Sequence, residues 1–181
     1  MKPEYLLMAV VLAGLFLAAV ISQHIKAKKG QRGEDLARLR HIAARQLDNS
    51  ALYTIVYSCC SQAKWSIGRP VTTAYFSHIA AFRPGELFVI PLQFSGRDII
   101  SHPGVRLSRE NVGAVRAGKG SQVTFLGTDG RELCTLCVSA GITAEGPFQP
   151  LNIQQNAQAE KFDAFLRQFT GEIRSVASRR G

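Results

Sequence analysis

The chain opens on an apolar run. Tyr5 to Ile21 holds no charged residue and no proline across seventeen positions. As a helix this run spans roughly 26 Å, a little short of a ~30 Å hydrocarbon core. Ser22 to Ile25 extend it through the interface, and Tyr5 sits where an interfacial aromatic belongs. The pattern predicts an N-terminal transmembrane helix within residues 1–25. A cleaved signal peptide competes at this length. However, the positive charge (Lys26, Lys28, Lys29, Arg32) follows the apolar run instead of preceding it, and Ala18-Ala19-Val20-Ile21-Ser22 offers no clean small-x-small cleavage site. Lys2 and Glu4 cancel in front, so the positive-inside rule puts the rest of the chain in the cytoplasm. The expected product is a single-pass protein of the cell membrane.

The pattern then changes twice. Residues 26–50 begin with a basic joint broken by Gly30 and Gly33. From Glu34 to Leu47 the apolar positions Leu36, Leu39, Ala43 and Leu47, with Ile42 beside them, fall at helical spacing. Glu34 and Asp35 stand in the first turn, where the helix dipole favours acids. Such a stripe packs on the following domain, lies on a membrane surface or dimerises. From Leu52 to Val138 the sequence reads mostly as strand. Leu52–Cys60 and Val71–Ala80 are rich in β-branched and aromatic residues, although the first is short enough to read also as helix. Arg83-Pro84-Gly85 is a turn, and Glu86–Phe94 is a strand in which Pro91 predicts an edge or a bulge. Ser95 to Asp98 turn the chain again, before short apolar pairs near Ile99 and Val105–Leu107.

Val112–Arg116, Gln122–Leu126 and Arg131–Val138 form the clearest set of strands. Turns at Ala117–Gly120 and Thr128-Asp129-Gly130 join them, and Asp-Gly readily supplies the positive φ angles of a tight hairpin. Gly141–Pro150 reads as a loop. The last element is a helix over Asn156–Val176, with Phe162, Phe165, Leu166, Phe169, Ile173 and Val176 on one stripe. That stripe needs a large apolar surface, most simply the preceding sheet.

The fold class expected is α+β: the transmembrane helix, a short amphipathic helix, then an antiparallel β-sheet or open barrel closed by a C-terminal amphipathic helix, with residues 51–181 as one domain. Gly85-Glu86-Leu87-Phe88-Val89-Ile90, Leu107-Ser108-Arg109-Glu110-Asn111-Val112 and Asp129-Gly130-Arg131-Glu132-Leu133, in that order, resemble the pleckstrin-homology-like family, particularly its bacterial versions, over about residues 52–176. The resemblance implies a binding scaffold and not an enzyme. Members that bind phosphoinositides use basic residues of the first hairpin, and here only Lys64 and Arg69, around Trp65, lie in a comparable place.

Charge narrows the partners. The formal net charge is +9. Its concentrated part, Lys26, Lys28, Lys29 and Arg32, suits an anionic lipid surface. No basic run interleaved with aromatics points to nucleic acid. Chemistry is sparse. Cys59-Cys60 and the C-x-x-C of Cys134 and Cys137 invite a zinc or redox reading. Yet adjacent cysteines rarely serve one structural site, and on a strand Cys134 and Cys137 face opposite sides. The expectation is small apolar filling in a reducing cytoplasm. Gly113 with Gly118-Lys119 has phosphate-loop spacing, but Gly120 stands where Ser or Thr must reach magnesium, and a strand follows. His24, His41, His78 and His102 show no metal spacing, and Asp98, Asp129 and Asp163 have turn or helix-surface explanations. No cofactor and no catalytic residue is expected. The function expected is a membrane-tethered, non-catalytic adaptor that binds a protein partner or itself. The alternatives are an anionic-lipid sensor and a thiol- or metal-dependent protein using Cys134 and Cys137.

Overall fold

A computed structural model describes residues 33–64, 72–96, 98–143 and 150–180. The first helix, α1, runs over 33–44. Its stripe residues Leu39, Ala43 and Leu47 are buried. They share an apolar cluster with Ile55, Tyr57, Ile79 and Ile90. The stripe is therefore covered by the chain's own sheet, which removes it as a dimerising or membrane-surface face. Asp35 fixes the start of α1, because its carboxylate accepts the Asn152 N–H at 3.0 Å.

The main sheet is antiparallel. It contains β1 (Thr54–Lys64), β2 (Thr72–Arg83) and β3 (Glu86–Ser95), followed by β4 (Asp98–Ser101) and β5 (Val105–Ser108). Both β4 and β5 pair with β3: β4 along Leu92–Ser95 and β5 along Glu86–Val89. They act as one edge strand with a gap, and Pro91 stands at that gap, its carbonyl accepting the His102 N–H at 3.0 Å. A proline has no N–H to lose from a ladder there. The stretch Leu52–Cys60, read as strand or helix, is strand from Thr54 onward, after a single 3-10 turn at Ser50–Leu52. β1 is buried on both faces, which is why Ile55-Val56-Tyr57 shows no polar alternation.

A separate three-stranded sheet follows: β6 (Val112–Ala117), β7 (Gln122–Gly127) and β8 (Glu132–Cys137). Gly113 sits at a bulge in β6, where an added Cβ would lie 2.7 Å from the Gly127 carbonyl oxygen. Gly118 and Lys119 belong to the β6–β7 connection, so the phosphate-loop spacing is spread over a strand and a turn. Two short strands, β9 (Gly141–Ile142) and β10 (Ile153–Gln154), pair with each other. The second helix, α2 (Asn156–Arg180), ends the fold.

The main sheet carries a core on each face. One face meets α1 together with Leu151 and Ile153. The other holds Val56, Ala80, Phe82, Leu87 and Val89 against the small sheet (Val112, Phe125, Leu136) and α2 (Phe162, Phe165, Phe169, Ile173). The rings interlock: Phe82 lies 5.1 Å from Phe165, and Phe165 lies 5.2 Å from Phe169, between centroids. The side chain of Val176 lies outside the described residues.

The main sheet and the small sheet share no backbone ladder. Where β1 comes up against β8 and the segment after it, side chains make the connection. Gln155 Oε1 accepts the Tyr57 N–H at 2.8 Å, and Gln155 Nε2 donates to the carbonyls of Tyr57 at 2.8 Å and Ser139 at 2.9 Å. The Cys137 N–H donates to Ser58 Oγ at 2.8 Å.

Two parts of the expected architecture are corrected. Among the described residues no helix is long and apolar enough to cross a membrane. The transmembrane helix expected within 1–25 falls on a stretch outside the described residues, so the fold described here contains no such element. The strands also do not make one continuous sheet or open barrel. Among the described residues they divide into sheets of five, three and two, because the seam between β1 and β8 is bridged by side chains instead of main-chain pairs.

Candidate functional site

The β2–β3 turn, Arg83-Pro84-Gly85-Glu86, brings four polar elements of the fold together. Gly85 has φ 76°, the left-handed conformation that lets two long strands reverse over two residues. Arg83 and Glu86 then face each other in register across the hairpin, and Arg106 of β5 lies beside them.

Glu86 is the hub. Its Oε2 accepts from Arg83 Nε at 2.9 Å, from an Arg83 terminal nitrogen at 2.7 Å and from an Arg106 terminal nitrogen at 3.1 Å. Its Oε1 accepts from the Tyr53 hydroxyl at 2.8 Å and lies 3.0 Å from Arg106 Nε. The Arg83 guanidinium stacks 4.8 Å above the Tyr53 ring centroid. Burial pulls the Glu86 pKa upward, but the hydrogen bonds from Arg83 and Tyr53 and the charges of Arg106 and Arg83 outweigh it, so the carboxyl is held below its ordinary range. Burial and the bond to Glu86 raise Tyr53 in turn. One carboxylate thus neutralises one of two arginines, and the cluster keeps a positive charge.

This hub borders a cleft of about 730 Å³, lined by Arg83, Glu86, Arg106, Arg109, Glu110 and Glu172 among others. A smaller hollow of about 260 Å³ shares Arg83, Glu86 and Arg106 and continues past Tyr53 and Asp48. The turn after β5 is held by its own polar bonds: Ser108 N–H to Asn111 Oδ1 at 2.8 Å, and Asn111 Nδ2 to the Arg106 carbonyl at 2.7 Å. That turn presents Arg109 at the surface. The cleft offers guanidinium donors and carboxylate acceptors side by side. Among the described residues its lining contains arginine, glutamate, serine and asparagine and no histidine, cysteine or lysine.

The residues singled out from the sequence fall elsewhere. Lys26, Lys28, Lys29 and Arg32 lie outside the described residues, as do Trp65 and Arg69. The cysteines bring a further correction to the sequence reading. Cys60 and Cys137 form a disulfide, with Cα atoms 5.2 Å apart, where four reduced thiols were expected. Cys134 faces away from Cys137, as residues three apart on a strand must. Burial, and to a smaller degree the Glu132 carboxylate, push its thiol up to about 12. Cys134 and Cys137 therefore make no dithiol pair. Among the described residues no group of three or more His, Cys, Asp or Glu is placed to hold a metal ion. His78 is half-buried in β2 with its Nδ1 enclosed and without a hydrogen-bond partner, and burial lowers its pKa.

Sequence reasoning passed over the Glu86 cluster. Arg83 reads as part of a turn and Glu86 as the start of a strand, while Tyr53 and Arg106 carry no signal of their own in the sequence. The available signal was Glu86 itself, a charge placed where β3 otherwise runs apolar into the core. No family model matches the sequence, and no curated protein and no solved structure matches it either.

Proposed function

We propose that this domain is a non-catalytic binding module whose ligand is a polypeptide segment carrying a carboxylate, received in the cleft beside Glu86. The observation that carries the reading is the arginine set. Arg83 and Arg106 both turn toward one carboxylate, and Arg109 stands at the rim, so three guanidinium groups border one cleft. Glu110 and Glu172 in the same lining repel a polyphosphate, which favours a peptide of mixed charge over nucleic acid. The resemblance to the pleckstrin-homology-like family belongs to this proposal. Its support is the order of the elements: one meander of strands, a second three-stranded meander, then a helix. The test is an array of neutral peptides and of acidic peptides with and without basic residues, probed with the full chain and with Arg109→Glu. Acidic peptides captured by the wild type and lost by the variant support the reading, and identical profiles overturn it.

Self-association is the second reading. Phe76 (43 % exposed), Ile100 (46 %) and Val105 (52 %) lie on one face of the main sheet, beyond the part covered by α2 and the small sheet. Sedimentation of the full chain and of Phe76→Ser checks it: a dimer that dissociates in the variant supports it, and the same mass for both chains removes it.

A further inference from the structure

We infer that the Cys60–Cys137 bond is a structural closure of the seam between the two larger sheets, and that the domain matures where thiols are oxidised, outside a reducing cytosol. The placement of the bond carries this. Cys60 lies in β1 and Cys137 at the end of β8, strands of different sheets with no ladder between them. The bond adds a covalent tie to a seam otherwise held by Ser58 and Gln155. Its two ends are 77 residues apart in sequence, so the closed loop takes in most of the β structure. A cross-link of that span restricts the unfolded chain strongly, and bonds of this kind persist in oxidising compartments.

The other two cysteines do not make this an exchanging site. Cys59 is adjacent in sequence but points to the opposite face of β1, where it packs in the α1-side cluster and accepts a contact from Ser77 Oγ at 3.9 Å. Cys134 faces the other core and is partly buried there. Its thiol, held near 12, supplies almost no thiolate at neutral pH. Cys134 is therefore not poised to attack the bond and reshuffle it. The bond forms when the Cys60 and Cys137 thiols give up two protons and two electrons. A disulfide of the thiol-oxidoreductase class accepts them, is cleaved, and leaves as a dithiol. On this inference the domain does not mature in the cytoplasm, where the basic residues that follow the apolar run were expected to keep it.

The experiment traps thiols in the cells that make the protein. Acid quenching, alkylation under denaturing conditions and peptide mass analysis of the full chain report each cysteine. The expected result is a Cys60–Cys137 linked peptide in most molecules, with Cys59 and Cys134 alkylated. Alkylation of both Cys60 and Cys137 in most molecules overturns the inference. A second measurement tests the closing role: the thermal midpoint of the full-length Cys60→Ser/Cys137→Ser chain is expected to drop by roughly 10 °C, or folding to fail. A midpoint equal to that of the oxidised wild type would overturn that role. Cys59→Ser/Cys134→Ser should leave the linked peptide in place, and its loss there would likewise count against the assignment.

Discussion

Gln155 pairs with Tyr57 as a neighbouring strand would. Its amide accepts the Tyr57 N–H and donates to the Tyr57 carbonyl, both at 2.8 Å, and the side chain is fully buried. Gln155→Ala leaves Tyr57 N, Tyr57 O and Ser139 O without this partner, at about 1–3 kcal/mol for each buried group left unsatisfied. Some relaxation is expected, so the net loss should be about 2–4 kcal/mol in urea unfolding. Gln155→Glu keeps the acceptor but removes the donor and buries a charge. It should be at least as damaging at pH 7 and recover in part as the carboxyl protonates. Wild-type stability in Gln155→Ala would show that the seam does not depend on this side chain.

The phenylalanine stripe of α2 closes the core. Phe169 is fully buried between Phe125 and Phe165, at centroid distances of 6.3 and 5.2 Å. Phe169→Ala should cost about 3–5 kcal/mol. Leu133→Ala, at a site 41 % exposed, should stay within about 0.5 kcal/mol. Chemical denaturation of the two variants in parallel checks the contrast, and equal small effects would detach the helix from the core.

Acid should weaken the fold through two groups with different windows. Glu86 has its folded pKa held below the ordinary 4.5, so the stability it adds is full above that value and fades as pH falls through the lower folded value. His78 also has its folded pKa lowered, from 6.5, by burial. Its cross-strand neighbours Ser58 and Pro91 carry no charge to stabilise an imidazolium. The unfolded chain therefore takes up the histidine proton first, and stability should begin to fall below pH 6.5. Thermal melts from pH 7.5 down to pH 2 should show both steps, the lower one below pH 4.5. His78→Gln should flatten the upper one and Glu86→Gln the lower. An upper step that survives in His78→Gln would assign it to another group.

How far the sequence could be read depended on whether a signal was local. Asp129-Gly130 announced its hairpin because turn chemistry is written in adjacent residues: Gly130 has φ 78°, and Asp129 Oδ1 accepts the Arg131 N–H at 3.0 Å. The α2 stripe and the α1 stripe were legible for the same reason, since helical spacing repeats over a few residues. The divergence of Cys134 and Cys137 followed from strand geometry alone. What stayed hidden depends on contacts between distant residues. Tyr53 and Glu86 are 33 positions apart, and Tyr57 and Gln155 are 98. The choice of Cys60 and Cys137, out of four cysteines, is set by how β1 meets β8. The apolar signal of residues 5–21 is strong, and it was read into an architecture whose described part contains no membrane-crossing helix.

The central claim is that the arginines beside Glu86 receive a partner's carboxylate. Titration calorimetry of the full chain with the strongest acidic peptide from the array tests it most directly. Arg106→Ala/Arg109→Ala should weaken binding at least ~10-fold, in line with the loss of one charge-assisted hydrogen bond of about 1.5–3 kcal/mol. Arg131→Ala, which removes an exposed partner of Asp129 at the β7–β8 turn, should bind as the wild type does. Equal affinity for all three chains would contradict the account.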